Sequence, residues 1–206
     1  SALDASVSGG NNTAIGKNSL TALTSGASNV GIGTSSLETV TTSSQNVAVG
    51  HNTLPSNTGA TNTAMGHGAL FSNTSADNNV AIGKHALLSN TTGTQNTALG
   101  TDALDANTTA NFNTAIGYES LSGNTTGDSN TAVGKSCLGS NTTGATNTAI
   151  GHGALFGNLT ASNNTAVGYH SLLSNTTGTG LVAVGREALT ANTTADSNTA
   201  VGDLAL

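Results

Sequence analysis

The chain has 206 residues, of which 7% are charged and 2% aromatic, with a formal charge of −6, 27 glycines, one proline, one cysteine and no tryptophan. A globular enzyme of this size carries about a quarter charged residues and enough aromatic bulk for one thick core. The composition therefore excludes a conventional domain and favours a narrow object with a thin core of Ala, Val, Leu and Ile.

Four cations, Lys17, Lys84, Lys135 and Arg186, leave little to neutralise a phosphate backbone, so nucleic acid is excluded as a partner. The single Cys137 excludes a disulfide framework and a multi-cysteine zinc site. No apolar run approaches the roughly 20 residues of a membrane span, so this segment is not expected to insert directly in a membrane. Ser1 to Gly10 lacks the basic and apolar regions of a signal peptide.

Along the chain, Ser1 to Gly10 reads as an irregular lead-in, and residues 11–206 as one repeat domain. The repeat is marked by a glycine after a small and an aliphatic residue, at Gly16, Gly33, Gly50, Gly66, Gly83, Gly100, Gly117, Gly134, Gly151, Gly168, Gly185 and Gly202. The spacing is 17 residues throughout, except for the 16 between Gly50 and Gly66. The residue before each glycine is always aliphatic: Ile15, Ile32, Val49, Met65, Ile82, Leu99, Ile116, Val133, Ile150, Val167, Val184 and Val201. A leucine stands four places after each glycine, from Leu20 to Leu206. Asn stands four before it everywhere but at Leu181, and a second Asn stands seven after it from Asn57 to Asn192.

The short spacing arises because Asn57-Thr58-Gly59 lacks one Thr of the Asn141-Thr142-Thr143-Gly144 pattern, which marks that stretch as a surface turn. His67-Gly68-Ala69-Leu70-Phe71 returns as His152-Gly153-Ala154-Leu155-Phe156, a longer period of five coils laid over the short one. A 17-residue unit is too short for a helical hairpin and too long for one strand. Its Val, Ile and Thr with Gly and Asn punctuation predict an all-β parallel β-solenoid of about twelve coils. Stacking at about 4.8 Å predicts a rod roughly 55 Å long, steadied by ladders of Asn amides bonded to their copies above and below.

In Asn113-Thr114-Ala115-Ile116-Gly117, strand alternation turns Asn, Ala and Gly inward and Thr and Ile outward. Twelve copies expose an apolar stripe larger than a soluble monomer tolerates. Identical chains around an axis along the rod would cover it, most economically as a homotrimer. The twelve aliphatic residues from Ile15 to Val201 are the expected interface.

Val47-Ala48-Val49-Gly50, Val80-Ala81-Ile82-Gly83 and Val182-Ala183-Val184-Gly185 resemble the head repeat of trimeric autotransporter adhesins and the related repeats of phage tail fibres. The resemblance covers about residues 11–206 and implies a parallel β-roll trimer on a cell or virion surface, extracellular, for attachment or spacing. The partners it implies are the chain's own copies and a host-cell or surface receptor or glycan. The coil here is longer than in those adhesin heads, the extra residues falling in the Asn-Thr-Thr-Gly turn.

No catalytic, cofactor or metal residue is expected. His51, His67 and His152 share the place after the repeat glycine with the four cations, and His85 and His170 sit one place later. They show no fixed carboxylate or cysteine partner along the sequence. Cys137 replaces the Ala or Ser of other coils and reads as a small core residue. Gly134-Lys135-Ser136 ends like a phosphate loop, but Ser129 stands where its first glycine belongs. Asn90-Thr91-Thr92 and its copies match the glycosylation acceptor because the repeat generates them. The reading is a non-enzymatic fibre segment that is one piece of a longer polypeptide. The alternative is an ice-binding solenoid presenting Thr-x-Val/Ile ladders.

Overall fold

The computed structural model describes residues 2–3 and 7–206; the lead-in expected over 1–10 lies partly outside the described residues. Each coil forms one three-residue strand, from β1 (Thr13–Ile15) to β12 (Thr199–Val201). The twelve strands lie in one parallel sheet in strict chain order, with no helix among the described residues. Every strand pairs with the next at the same repeat position, as in Ala115 beside Ala132 and Ile116 beside Val133. The chain is thus a parallel β-solenoid of eleven turns between its twelve strands, roughly 53 Å long at about 4.8 Å per turn.

Strands this short would be marginal alone, but the ladder continues through the turns. Leu104 N donates to Ser120 O at 3.0 Å, and Thr108 N to Thr125 O at 3.1 Å, each one coil along. Ser8 N already donates to Thr24 O, so the described end of the lead-in stacks on the first coil. Buried backbone groups therefore find partners around the whole circumference, as a slender solenoid requires.

The corners explain the glycine. At the repeat glycines φ lies between 119° and 142°, a region that L side chains rarely adopt. A Cβ on Gly117 would stand 2.6 Å from Gly134 O of the next coil. One corner further on, the repeat leucines from Leu20 to Leu189 hold left-handed backbone with φ between 47° and 54°. Leucine gains nothing locally there. Each of Leu20 to Leu172 in this column is fully buried, and burial stabilises by about 1.5–3 kcal/mol per side chain, enough to hold the bend.

The core follows the expected alternation. Ala48, Ala81, Ala98, Ala115 and Ala132 face inward with no exposure, packed against the leucines opposite. Both Asn columns are buried, but they work differently. The column seven after the glycine is a true amide ladder: Asn107 Nδ2 donates to Asn90 Oδ1 at 2.8 Å, and Asn141 Nδ2 to Asn124 Oδ1 at 2.8 Å. The column four before the glycine mainly bridges to backbone. Asn130 Oδ1 accepts from Asn147 N at 3.0 Å, and Asn130 Nδ2 donates to Gly144 O at 2.9 Å. The missing Thr is absorbed in the turn, where Asn57 Nδ2 reaches Gly59 O two residues on, while Asn90 Nδ2 reaches Gly93 O three residues on. Asn90, Asn107, Asn124, Asn141 and Asn175 are fully buried, so the folded rod offers no glycan acceptor at these sequons.

Candidate interaction surfaces

Two features dominate the outside of the rod. The first is the sheet face, a ribbon of two columns. The column before the glycine is half-buried or exposed along its length, with Met65 at 45%, Leu99 at 43% and Ile150 at 41% exposure. All twelve aliphatic positions from Ile15 to Val201 thus point outward as the alternation predicted. Beside them runs the Thr/Val column, from Thr13 through Val30, Val47 and Thr63 to Thr199. Parallel in-register pairing stacks each column on itself from coil to coil.

The second feature is the ridge beyond the glycine corner, which carries most of the charged and aromatic groups. His51 and His67 stack with ring centroids 5.3 Å apart, and His67 lies 5.4 Å from His85. Five coils on, His152 lies 5.3 Å from His170, which Tyr169 covers face to face at 3.8 Å. Lys135 Nζ lies 6.0 Å from the centre of the Tyr118 ring. Sequence reasoning found no carboxylate partner for the histidines, and the structure corrects this at one of them: His85 Nδ1 is 3.2 Å from Asp102 Oδ1. A residue in the same corner position of the next coil, 17 places away, is the signal that would have found it.

Asp105 also belongs to this group. Burial and the neighbouring Asp102 carboxylate raise its carboxyl above the ordinary value, against the opposing pull of backbone amides and His85. Its Oδ1 is buried without a hydrogen-bond partner. The native state therefore holds this proton more tightly than the unfolded chain does. The group's contribution to stability is full below the ordinary carboxylate value of about 4 and is lost as pH rises through the higher native value. Asp105→Asn is expected to raise the melting temperature at pH 7, with the gain over the parent shrinking toward pH 3. Thermal melts at the two pH values check this.

Cys137 is a core residue. It is fully buried, its Sγ donates to Ala149 O at 3.1 Å, and burial pushes the thiol up to about 12. Ser120 makes the same bond to Ala132 O in the preceding coil. Since the thiolate is the reactive form, Cys137 is expected to resist alkylation at pH 8 in the folded rod and to react fully in denaturant, as mass spectrometry of iodoacetamide-treated protein would read.

Lys135 stands exposed on the ridge, and no three His, Cys, Asp or Glu side chains among the described residues close around one point. Among the described residues no helix is long and apolar enough to cross a membrane. No protein-family profile, curated protein or solved structure matches the chain.

Proposed function

We propose that the chain is a non-enzymatic rod segment of a surface fibre, an extracellular adhesin or phage tail fibre, whose sheet face packs against two further copies of itself. The single observation that carries this reading is the stacked aliphatic column from Ile15 to Val201, outward-facing in every coil. Apolar ribbons of that length on soluble proteins mark interaction surfaces. A rotation axis along the rod lets identical ribbons cover one another without an open-ended assembly. The resemblance to adhesin-head and tail-fibre repeats supports the count of three and a location on a cell or virion surface. The rod itself then holds a receptor- or glycan-binding tip away from that surface.

Light scattering after size-exclusion chromatography is expected to return about three times the chain mass of 19.9 kDa. The value should not change with chelator, since the proposed interface is aliphatic and Thr. A monomer overturns the trimer.

A second reading is favoured by one observation: the in-register ribbon also presents a regular Thr-x-Val/Ile lattice, as at Thr131-Ala132-Val133 beside Thr148-Ala149-Ile150, a surface suited to ordering water as ice does. Met65 and Leu99 interrupt that regularity with long flexible side chains, which suit a packed interface better. Inhibition of ice recrystallisation by a monomeric protein would favour this reading over the fibre.

A further inference from the structure

Two notches on the ridge repeat the same histidine, glycine, leucine and phenylalanine positions. In the first, His67 and Gly68 lie in one coil and His85 in the corner of the next; in the second, His152 and Gly153 face His170. Each residue of the second set stands 85 places after its counterpart, five coils of 17. Leu88 and Phe71 also line the first notch, of about 310 Å³, and Leu173 and Phe156 the second, of about 470 Å³, which Tyr118, Glu119 and Lys135 border as well.

The glycine has a specific part in this geometry. A Cβ on Gly68 would stand 3.1 Å from His85 Cδ2 and 3.7 Å from its Nε2; on Gly153 it would stand 2.7 and 3.1 Å from the same atoms of His170. Both rings therefore turn their Cδ2–Nε2 edge toward the glycine of the coil that carries the other histidine. At the first site the Asp102 carboxylate takes the Nδ1 side of His85 at 3.2 Å. With the proton on Nδ1 as donor to that carboxylate, Nε2 is left as the lone-pair nitrogen.

The spacing of successive coils leaves room for a shared ion. Two imidazoles bound to one zinc at about 2.0–2.1 Å, with a tetrahedral angle between them, place their ring centres about 5.2 Å apart. The observed separations are 5.4 Å for His67 with His85 and 5.3 Å for His152 with His170.

We propose that each notch is a two-histidine site for a divalent first-row transition metal such as Zn²⁺, with water completing the coordination: His67 and His85 at one, His152 and His170 at the other. The sites differ in strength. At the first, Asp102 lies against His85 Nδ1, and the His51 ring stacks beside His67. At the second, Lys135 occupies the place of His51, and Glu187, in the place of Asp102, is held by Arg186 at 3.1 Å. The first site is therefore the tighter one, and Asp102 is its positioning residue.

Calorimetric titration of chelator-stripped protein with Zn²⁺ tests this, counted per chain so that the result is independent of the assembly state. Two ions per chain are expected, in two affinity classes. His85→Gln should remove the tighter, His170→Gln the weaker, and the double variant both, with unchanged melting of the metal-free rod. Asp102→Asn should weaken only the tighter site, by about 10- to 100-fold, as loss of a carboxylate behind a ligating histidine does elsewhere. Absence of saturable binding, or two ions still bound by the double variant, overturns the proposal. One ion per chain overturns it for the second notch.

Discussion

Asn130→Ala is expected to be among the most damaging single substitutions in the rod, although it removes neither charge nor bulk from the leucine core. Asn130 is fully buried, and its amide is a bracket between coils. Its Oδ1 accepts from Asn147 N at 3.0 Å and from Asn147 Nδ2 at 3.2 Å, while its Nδ2 donates to Gly144 O at 2.9 Å and to Gly127 O at 3.2 Å. Truncation leaves the Asn147 amide N–H without its partner in a space that was filled by the side chain, while Gly144 O keeps its bond from Asn141 Nδ2 at 2.9 Å. One unsatisfied buried N–H costs about 1–3 kcal/mol and the lost hydrogen bonds of the amide about 1 kcal/mol more, so a loss of about 2–4 kcal/mol is expected, read from denaturant unfolding. A loss below 1 kcal/mol would mean that water enters the coil and replaces the amide. Asn124→Ala provides the comparison within the second column. There the amide accepts from Asn141 Nδ2 at 2.8 Å and donates to Gly127 O at 3.0 Å, but no backbone N–H depends on it, so a smaller loss is expected.

This difference between two columns of the same residue shows where sequence stops being legible. Period, strand position and the inward turn of Ala115 and Leu121 follow from spacing alone, because a two-residue alternation and a buried leucine leave one consistent arrangement. How Asn130 bonds does not follow. It depends on the Asn141–Gly144 turn that brings the Gly144 carbonyl within reach, and that turn follows a corner where Leu138 holds left-handed backbone, a conformation its side chain does not favour. Nothing local marks Leu121 or Leu138 for such a bend; only the burial of the whole column holds it. The ridge is legible in part. Like residues at the same position of successive coils were visible as columns, but His67 and His85 meet along a diagonal, from one corner position to the next. Only the turn geometry and the glycine between them bring the rings together.

Ile116→Asp tests the sheet face itself, because Ile116 sits at mid-rod in β7 (Thr114–Ile116) and points outward from a core it does not help to fill. In an isolated chain a carboxylate there stays hydrated, and its cost is confined to the lost contact with Leu99 and Val133 in the adjoining strands. In a bundle closed around the rod axis, three such carboxylates are brought together away from water. Unpaired buried charge costs several kcal/mol per site unless the groups take up protons. The expected result at pH 7 is therefore a shift from trimer toward monomer in sedimentation, with partial recovery of the trimer at acid pH as the carboxylates are neutralised. The control belongs at Thr126 rather than Thr125. Thr125 lies in the turn that tolerates a missing residue, but its Oγ1 donates to Thr142 O at 3.0 Å and contributes to an outer ladder. Thr126 is exposed, and Thr126→Asp should leave both assembly and stability within about 0.5 kcal/mol of the parent. If Ile116→Asp sediments and melts like Thr126→Asp, the sheet face meets solvent and the bundle is wrong. If the parent is already a monomer and Ile116→Asp abolishes ice-growth inhibition without unfolding it, the ribbon is an ice-ordering surface instead.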